Sequence, residues 1–200
     1  MEFKNFNLKL IDINNKLCDA WKMEFEKCDN VQIINGVFQD VADYDCIVSP
    51  ANSYGKMDGG IDLIIRNYFG MELQNKVQKV IQESYYGEQP VGTSFLVETG
   101  NIKHPFLAHT PTMRVPMDIS NTDNVYNAMY AMLRTIANYN KTNNMVIKSV
   151  LCPGLGTATG KVSPSEAARQ MALAYRFFKQ DTNELNWNEL MIRNNKILKK

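Results

Sequence analysis

The chain has 200 residues, 44% of them hydrophobic, and 22 Lys and Arg face 21 Asp and Glu for a net charge of +1. That length supports one domain, residues 1–200, with a sizeable core. The near-neutral balance leaves no electrostatic footprint for duplex nucleic acid or an anionic membrane, although a local pocket for one small anion remains compatible with it.

In chain order, "MEFKNFNLKLIDINNK" has internal charges and no long apolar run, which predicts neither a signal peptide nor a membrane span. Within it "NLKLIDI" alternates as a strand does. "NKLCDAWKMEFEKC" predicts a short amphipathic helix, with Leu17, Trp21 and Phe25 four apart. "VQIINGVF" and "CIVSPA" read as strands, the second apolar throughout as a buried parallel strand is. A helix begins at Gly59 or Gly60, and "LQNKVQKVIQESY" forms another, with Val77, Val80, Ile81 and Tyr85 on one stripe. "VGTSFLVET" and "PFLAHTPT" are successive strands joined at "GNIKH". "NTDNVYNAMYAMLRTIANYN" is helical, its methionines at core spacing, and "NMVIKSVLCPG" is a strand. In "SPSEAARQMALAYRFFKQ" Ser163 is the N-cap, Pro164 the first helical residue, and Glu166 completes a capping box. The tail "TNELNWNELMIRNNKILKK" predicts a short helix with a basic end. Alternating strands and helices with one strand pair predict a three-layer α/β/α sandwich around a mixed, largely parallel sheet.

Cys18, Cys28, Cys46 and Cys152 are scattered, with no Cys-x-x-Cys pair and only His104 and His109 to join them. This predicts no disulfide framework, no metal site and a reducing, cytoplasmic setting. Cys46 and Cys152 sit in apolar strands as small core residues.

Ligands of open α/β sheets bind beyond the carboxyl ends of the strands. Two glycine loops follow such ends: "IVSPANSYGKMDGGID", residues 47–62, and "PGLGTATGKVSP", residues 153–164. Glycine lets backbone N–H groups approach a ligand, and N–H groups in a turn or at a helix start attract anions. Two such loops on one edge fit a diphosphate; tight connection is the plainer role of either alone. There is no Gly-x-x-x-x-Gly-Lys-Ser/Thr, and "GLGTAT" starts like Gly-x-Gly-x-x-Gly only after the last core strand, not the first.

Together the two motifs resemble the ligand loops of macrodomains: Val-Asn-Ala-Ala-Asn, a glycine-rich loop and Gly-Gly-Val-Asp, then Pro-x-x-Gly-Thr-Gly before the last main helix. The resemblance spans roughly residues 30–180. It implies ADP-ribose as ligand and, for some members, hydrolysis of ADP-ribosyl linkages, with no cofactor. It implies that Asn52, beside Ala51, hydrogen-bonds the distal ribose, and that Gly59, Gly60 and Ile61 pack against that ribose and the diphosphate. Asp62 would lie near the scissile bond, and Asp62 with Asn52 would be the catalytic residues. The backbone from Pro153 through Gly154, Leu155, Gly156, Thr157, Ala158, Thr159 and Gly160 would hold the diphosphate.

Three positions depart from the family pattern. The aspartate that reads adenine is replaced by Val37 or Phe38, so stacking by Phe38, Asp40 or backbone atoms must serve. Gly160 stands near a usual aromatic position, leaving that wall absent or supplied from elsewhere, for example by Tyr54. Asp58 either caps the following helix or forms a second carboxylate beside Asp62.

Asp62 has two readings: a first-turn acid complementing the helix dipole, or the carboxylate that stabilises an oxocarbenium-like state and handles water. Arg114 would meet phosphate or ribose, or pair with a surface carboxylate. His109 is a structural histidine or a general base. The resemblance thus implies a metal-independent hydrolase acting on ADP-ribosylated side chains or O-acetyl-ADP-ribose. The alternatives are a non-catalytic ADP-ribose reader, an ADP-ribose 1″-phosphate phosphatase, or a fold kept for interaction alone.

Overall fold

A computed structural model describes residues 2–180 and 186–199. Six strands form one sheet: β1 (Asn7–Asp12), β2 (Val31–Asn35), β3 (Cys46–Ser49), β4 (Phe95–Glu98), β5 (Phe106–His109) and β6 (Ser149–Pro153), in the order β2-β1-β6-β3-β5-β4. Every pairing is parallel except β4 with β5. The two successive strands seen in the sequence are that antiparallel edge.

Strand side chains alternate between faces. Cys46 and Val48 of β3, Phe106 and Ala108 of β5, and Val150 and Cys152 of β6 enter one core with helices α1 (Asn15–Glu24), α4 (Asn124–Thr142) and α5 (Pro164–Lys179). Ile47, Leu107, Val97 and Leu151 point the other way, toward α2 (Gly60–Phe69) and α3 (Met71–Tyr85). The molecule is therefore the α/β/α sandwich that the pattern predicts. No helix among the described residues is long and apolar enough to cross a membrane.

Local starts agree in part with the sequence. Ser163 accepts the Glu166 N–H at 3.3 Å, with Pro164 in the first turn. The reciprocal half of the capping box is absent. The Glu166 carboxylate instead takes hydrogen bonds from Arg169 at 2.6 and 3.0 Å and from Gln170 at 2.9 Å, and it pairs with Lys199. Three competing donors outbid one backbone N–H.

The last helix, α6 (Trp187–Leu198), has no buried residue. The part of the predicted tail at 182–185 and Lys200 lie outside the described residues. Arg169 donates to the carbonyls of Lys196 and Ile197, capping the end of α6, and Arg193 lies 4.4 Å from the Phe177 ring centroid and donates to Tyr126 Oη. Burial pushes the Glu166 carboxyl up, but the Arg169, Lys199 and Gln170 bonds outweigh it and hold the group at about 2. A depressed carboxyl stabilises above its unfolded pKa and loses that contribution as pH falls toward the folded value. Docking of α6 should therefore weaken as pH drops from about 4.5 to 2. Arg169→Ala should produce the same loosening at neutral pH. Hydrogen exchange should then speed up at least about tenfold across residues 194–198, as local opening allows, with the sheet unchanged.

Candidate ligand cleft

In the sheet β3 and β6 are neighbours and parallel, so the loops that follow them leave the same edge side by side. They enclose a cleft of about 130 Å³. Residues 50–62 supply one wall and residues 154–160 the other. The loop after β5 closes one end with Thr112, Met113 and Pro116. That third segment is tied down locally: Ser53 N–H donates to Met113 O at 3.1 Å, Thr112 N–H to Ala51 O at 3.1 Å, and Asn124 Nδ2 to Thr112 O at 2.9 Å. The parallel course of β5 does bring its loop to the ligand edge, but through these residues rather than Arg114.

The second loop holds its shape because three positions have no room for a side chain. A Cβ on Gly154 would lie 2.5 Å from Leu17 Cδ2 and 2.6 Å from Asp12 Oδ2. Gly156 has φ +70°, and a Cβ on Gly160 would lie 2.5 Å from the Gly156 carbonyl oxygen and 2.7 Å from Ile119 Cγ1. Ile119 N–H donates to Gly160 O at 3.0 Å, and Lys161 and Val162 N–H groups turn back onto Ala158 and Gly156. No hydrogen bond among the described residues uses the N–H of Gly156, Thr157, Ala158, Thr159 or Gly160. Five consecutive donors are thus unengaged in a loop that lines the cleft.

Opposite them stands the start of α2. Gly59 is its N-cap and makes no side-chain cap bond. The expectation that Asp58 caps this helix is corrected: Gly59 holds the N-cap position with no side-chain cap bond, and Asp58 is among the residues lining the cleft. Gly60 has φ +55°, which favours glycine, whereas Gly59 is extended at φ −147° and a Cβ there would touch nothing within 4 Å. Free first-turn donors and the positive end of the helix dipole both favour an anion.

Asn52 orders its own loop. Its Nδ2 donates to Lys56 O at 2.7 Å, and its Oδ1 accepts from the N–H groups of Tyr54 and Lys56 at 3.1 and 3.3 Å. It still lines the cleft with one Nδ2 proton to spare. Asp62 is nearly buried, 9% exposed, and accepts a 2.6 Å hydrogen bond from Ser49 Oγ at the end of β3. Burial drives its carboxyl up to about 6, with Asp58 adding to the rise and the Ser49 bond opposing it.

Several sequence candidates lie elsewhere. Leu155 is fully buried in the core beneath the loop, and Pro153 is the buried last residue of β6, so neither lines the cleft. Phe38 is 3% exposed and packs edge-on against Tyr68, which removes it from stacking on a base in this conformation. Tyr54 Oη and Arg114 Nε both donate to Glu88, at 2.9 and 2.7 Å, forming a surface brace outside the cleft. Tyr54 is thus no wall of the pocket. The space where a side chain at 160 would stand is taken by Ile119. His109 is fully buried, its Nδ1–H donates to Gln89 Oε1 at 2.6 Å, and burial holds it neutral with a pKa near 3. Burial raises the thiols of Cys46 and Cys152, as expected of core cysteines. Ser49, Thr112, Met113 and Pro116 went unforeseen; only the buried-strand pattern before Ser49 pointed toward its position.

The comparisons with known proteins agree with this architecture. A family model of the Macro domain matches residues 48–171, which begin at β3 and end within α5. A protein of Aquifex aeolicus (strain VF5) is 32% identical over 151 residues, covering 75% of this chain and 83% of that protein. The macrodomain of Mycobacterium tuberculosis DarG superposes with a TM-score of 0.59 at 22% identity, over 71% of this chain and 87% of that one. A point mutant of the Oceanobacillus iheyensis macrodomain with ADPR gives 0.56 at 18% identity, over 77% and 84%. These two structures share the fold. With the family model spanning more than half its length and the Aquifex relative matching over three quarters of it, the chain belongs to the Macro domain family.

Proposed function

We propose that this chain binds ADP-ribose in the cleft and hydrolyses an ADP-ribosyl linkage there. The observation that carries the binding is the set of five unengaged N–H groups, 156–160, in a loop that lines the same cleft as the uncapped start of α2. Such a pair of backbone surfaces has no better partner than a diphosphate. Family members with ADPR in their structures support the choice of ligand. The enclosed volume of about 130 Å³ is below the usual 300–1,000 Å³ of a cofactor pocket, so ADP-ribose would occupy it with its diphosphate and distal ribose. The adenosine would lie along the open sheet edge.

Asp62 supports the hydrolytic part of the reading. A carboxyl poised near neutrality inside a cleft suits a general base. In the proposed step, on an ADP-ribosylated carboxylate side chain, the anomeric C–O bond breaks with oxocarbenium character. Water attacks the anomeric carbon, Asp62 takes its proton, and the side-chain oxygen leaves with the bonding pair. Holding the diphosphate rigidly would supply much of the rate gain through positioning. Calorimetry with ADP-ribose, beside release of free ADP-ribose from a peptide mono-ADP-ribosylated at a glutamate side chain, tests both parts. Micromolar binding with release is expected. Binding without release would leave a reader, and no binding at millimolar ligand would leave the fold without this role. The four free cysteines accord with a cytoplasmic setting.

A further inference from the structure

Resting on the reading of Asp62 as the reacting carboxylate, we propose that Ser49 is its positioning residue: it selects which Asp62 oxygen faces the substrate and supplies the hydrogen bond that the ionised form needs.

Ser49 is the last residue of β3 and is fully buried. Its carbonyl accepts the Thr110 N–H at 3.0 Å, and the residue sits in register with His109. Alternation along β3 turns its side chain, like that of Ile47, to the α2 and α3 face. The strand therefore fixes Ser49 independently of the loop that follows. From there Oγ reaches Asp62 Oδ1 at 2.6 Å, the length of a bond to a charged acceptor.

An ionised carboxylate only accepts, so Ser49 must be the donor. Oδ2 has no hydrogen-bond partner among the described residues, and the small remaining exposure of Asp62 is on the cleft it lines. Oδ2 is then the oxygen that meets water or ribose. Without Ser49 the carboxylate would turn freely about its last bond and lose its single hydrogen bond in a buried site.

The surrounding charges do not substitute for this bond. Asp58 opposes ionisation. Lys56 is on the cleft rim, and Arg66 is one turn further along α2, where neither bonds the carboxylate. On α3, Lys76 donates to Glu98 O and Lys79 pairs with Glu83. His109 on β5 is neutral and engaged with Gln89.

The test is a carbon NMR titration of the Asp62 carboxyl in the ligand-free protein, its resonance assigned by its loss in Asp62→Asn. It is run alongside kcat and KM on a peptide mono-ADP-ribosylated at a glutamate side chain and calorimetric affinity for ADP-ribose. In Ser49→Ala the Asp62 midpoint should rise by about one pH unit or more, the worth of a hydrogen bond to a charged group. The acid limb of the kcat profile should move up with it, and ADP-ribose affinity should stay within about twofold. Ser49→Thr, which keeps the hydroxyl, should restore the parent midpoint. Ser49→Cys, a near-isosteric weak donor, gives the same readout should alanine perturb folding. An unmoved midpoint in the Ala and Cys variants overturns the proposal, even where Asp62→Asn has lost turnover. A shifted midpoint with Asp62→Asn still fully active would instead overturn the catalytic reading beneath it.

Discussion

Asp62→Asn is expected to reduce turnover by about 10²–10⁴-fold, the usual contribution of a positioned general base, while ADP-ribose affinity stays within a few-fold. The same variant should be more stable than the parent at neutral pH. The folded carboxyl titrates near 6 against an ordinary 3.8, chiefly because it is buried. A group raised in the folded state favours folding at low pH and withdraws that support as pH rises from the unfolded to the folded value. Above about pH 6 the parent carries a penalty on the order of 2–3 kcal/mol for a buried charge. Asparagine has the same shape, still accepts the Ser49 hydroxyl, and has no charge to bury. Melting curves at pH 4 and pH 8 should show the two proteins converging at the lower pH and the variant several degrees ahead at the higher. Gain of stability with loss of turnover is the signature of a carboxylate kept for chemistry. Equal turnover would return Asp62 to the role of a helix-dipole partner.

The second large effect concerns the loop after β6. Gly160→Ala should cost about 1–3 kcal/mol of stability and at least about tenfold in ADP-ribose affinity. The added Cβ meets a backbone oxygen, that of Gly156, at 2.5 Å, and Ile119 at 2.7 Å. A side-chain tip can swing away, but the Gly156 carbonyl already accepts from Val162 N–H and cannot move without opening the loop. Gly59→Ala is the contrasting case. Its backbone is ordinary and the new methyl touches no protein atom. Stability should fall by less than about 1 kcal/mol, the worth of a helix cap. Affinity should fall more, because the space above Gly59 is where ligand would pack. If both variants bind as the parent does, the cleft is not the ligand site.

What the chain reveals on its own follows from how local each feature is. The apolar runs of β3 and β6, the glycines after them and the Ser163-Pro164 helix start are short-range patterns, and all are found where the sequence places them. The two glycine loops meet because their strands are sheet neighbours, which the α/β pattern implies without stating the strand order. Features depending on distant partners were not legible. Gly160 looked like a lost aromatic wall until Ile119, 41 positions earlier, is seen filling that space. Asp58 has the residue type of an N-cap, yet the chain places Gly59 there. Arg114 and Tyr54 are drawn from the site by one carboxylate, Glu88. Glu166 leaves Ser163 for Arg169, Gln170 and Lys199. For Gly160, Arg114 and Tyr54 a distant partner decides the outcome, and spacing along the chain holds no record of it.

The most direct test of the two-loop grip is a crystal structure with ADP-ribose bound. The account predicts both phosphates in the cleft, with oxygens about 2.7–3.2 Å from N–H groups within 156–160 and from the first turn of α2. A diphosphate held by side chains alone, or resting against one loop while the other stays clear of it, would contradict the account.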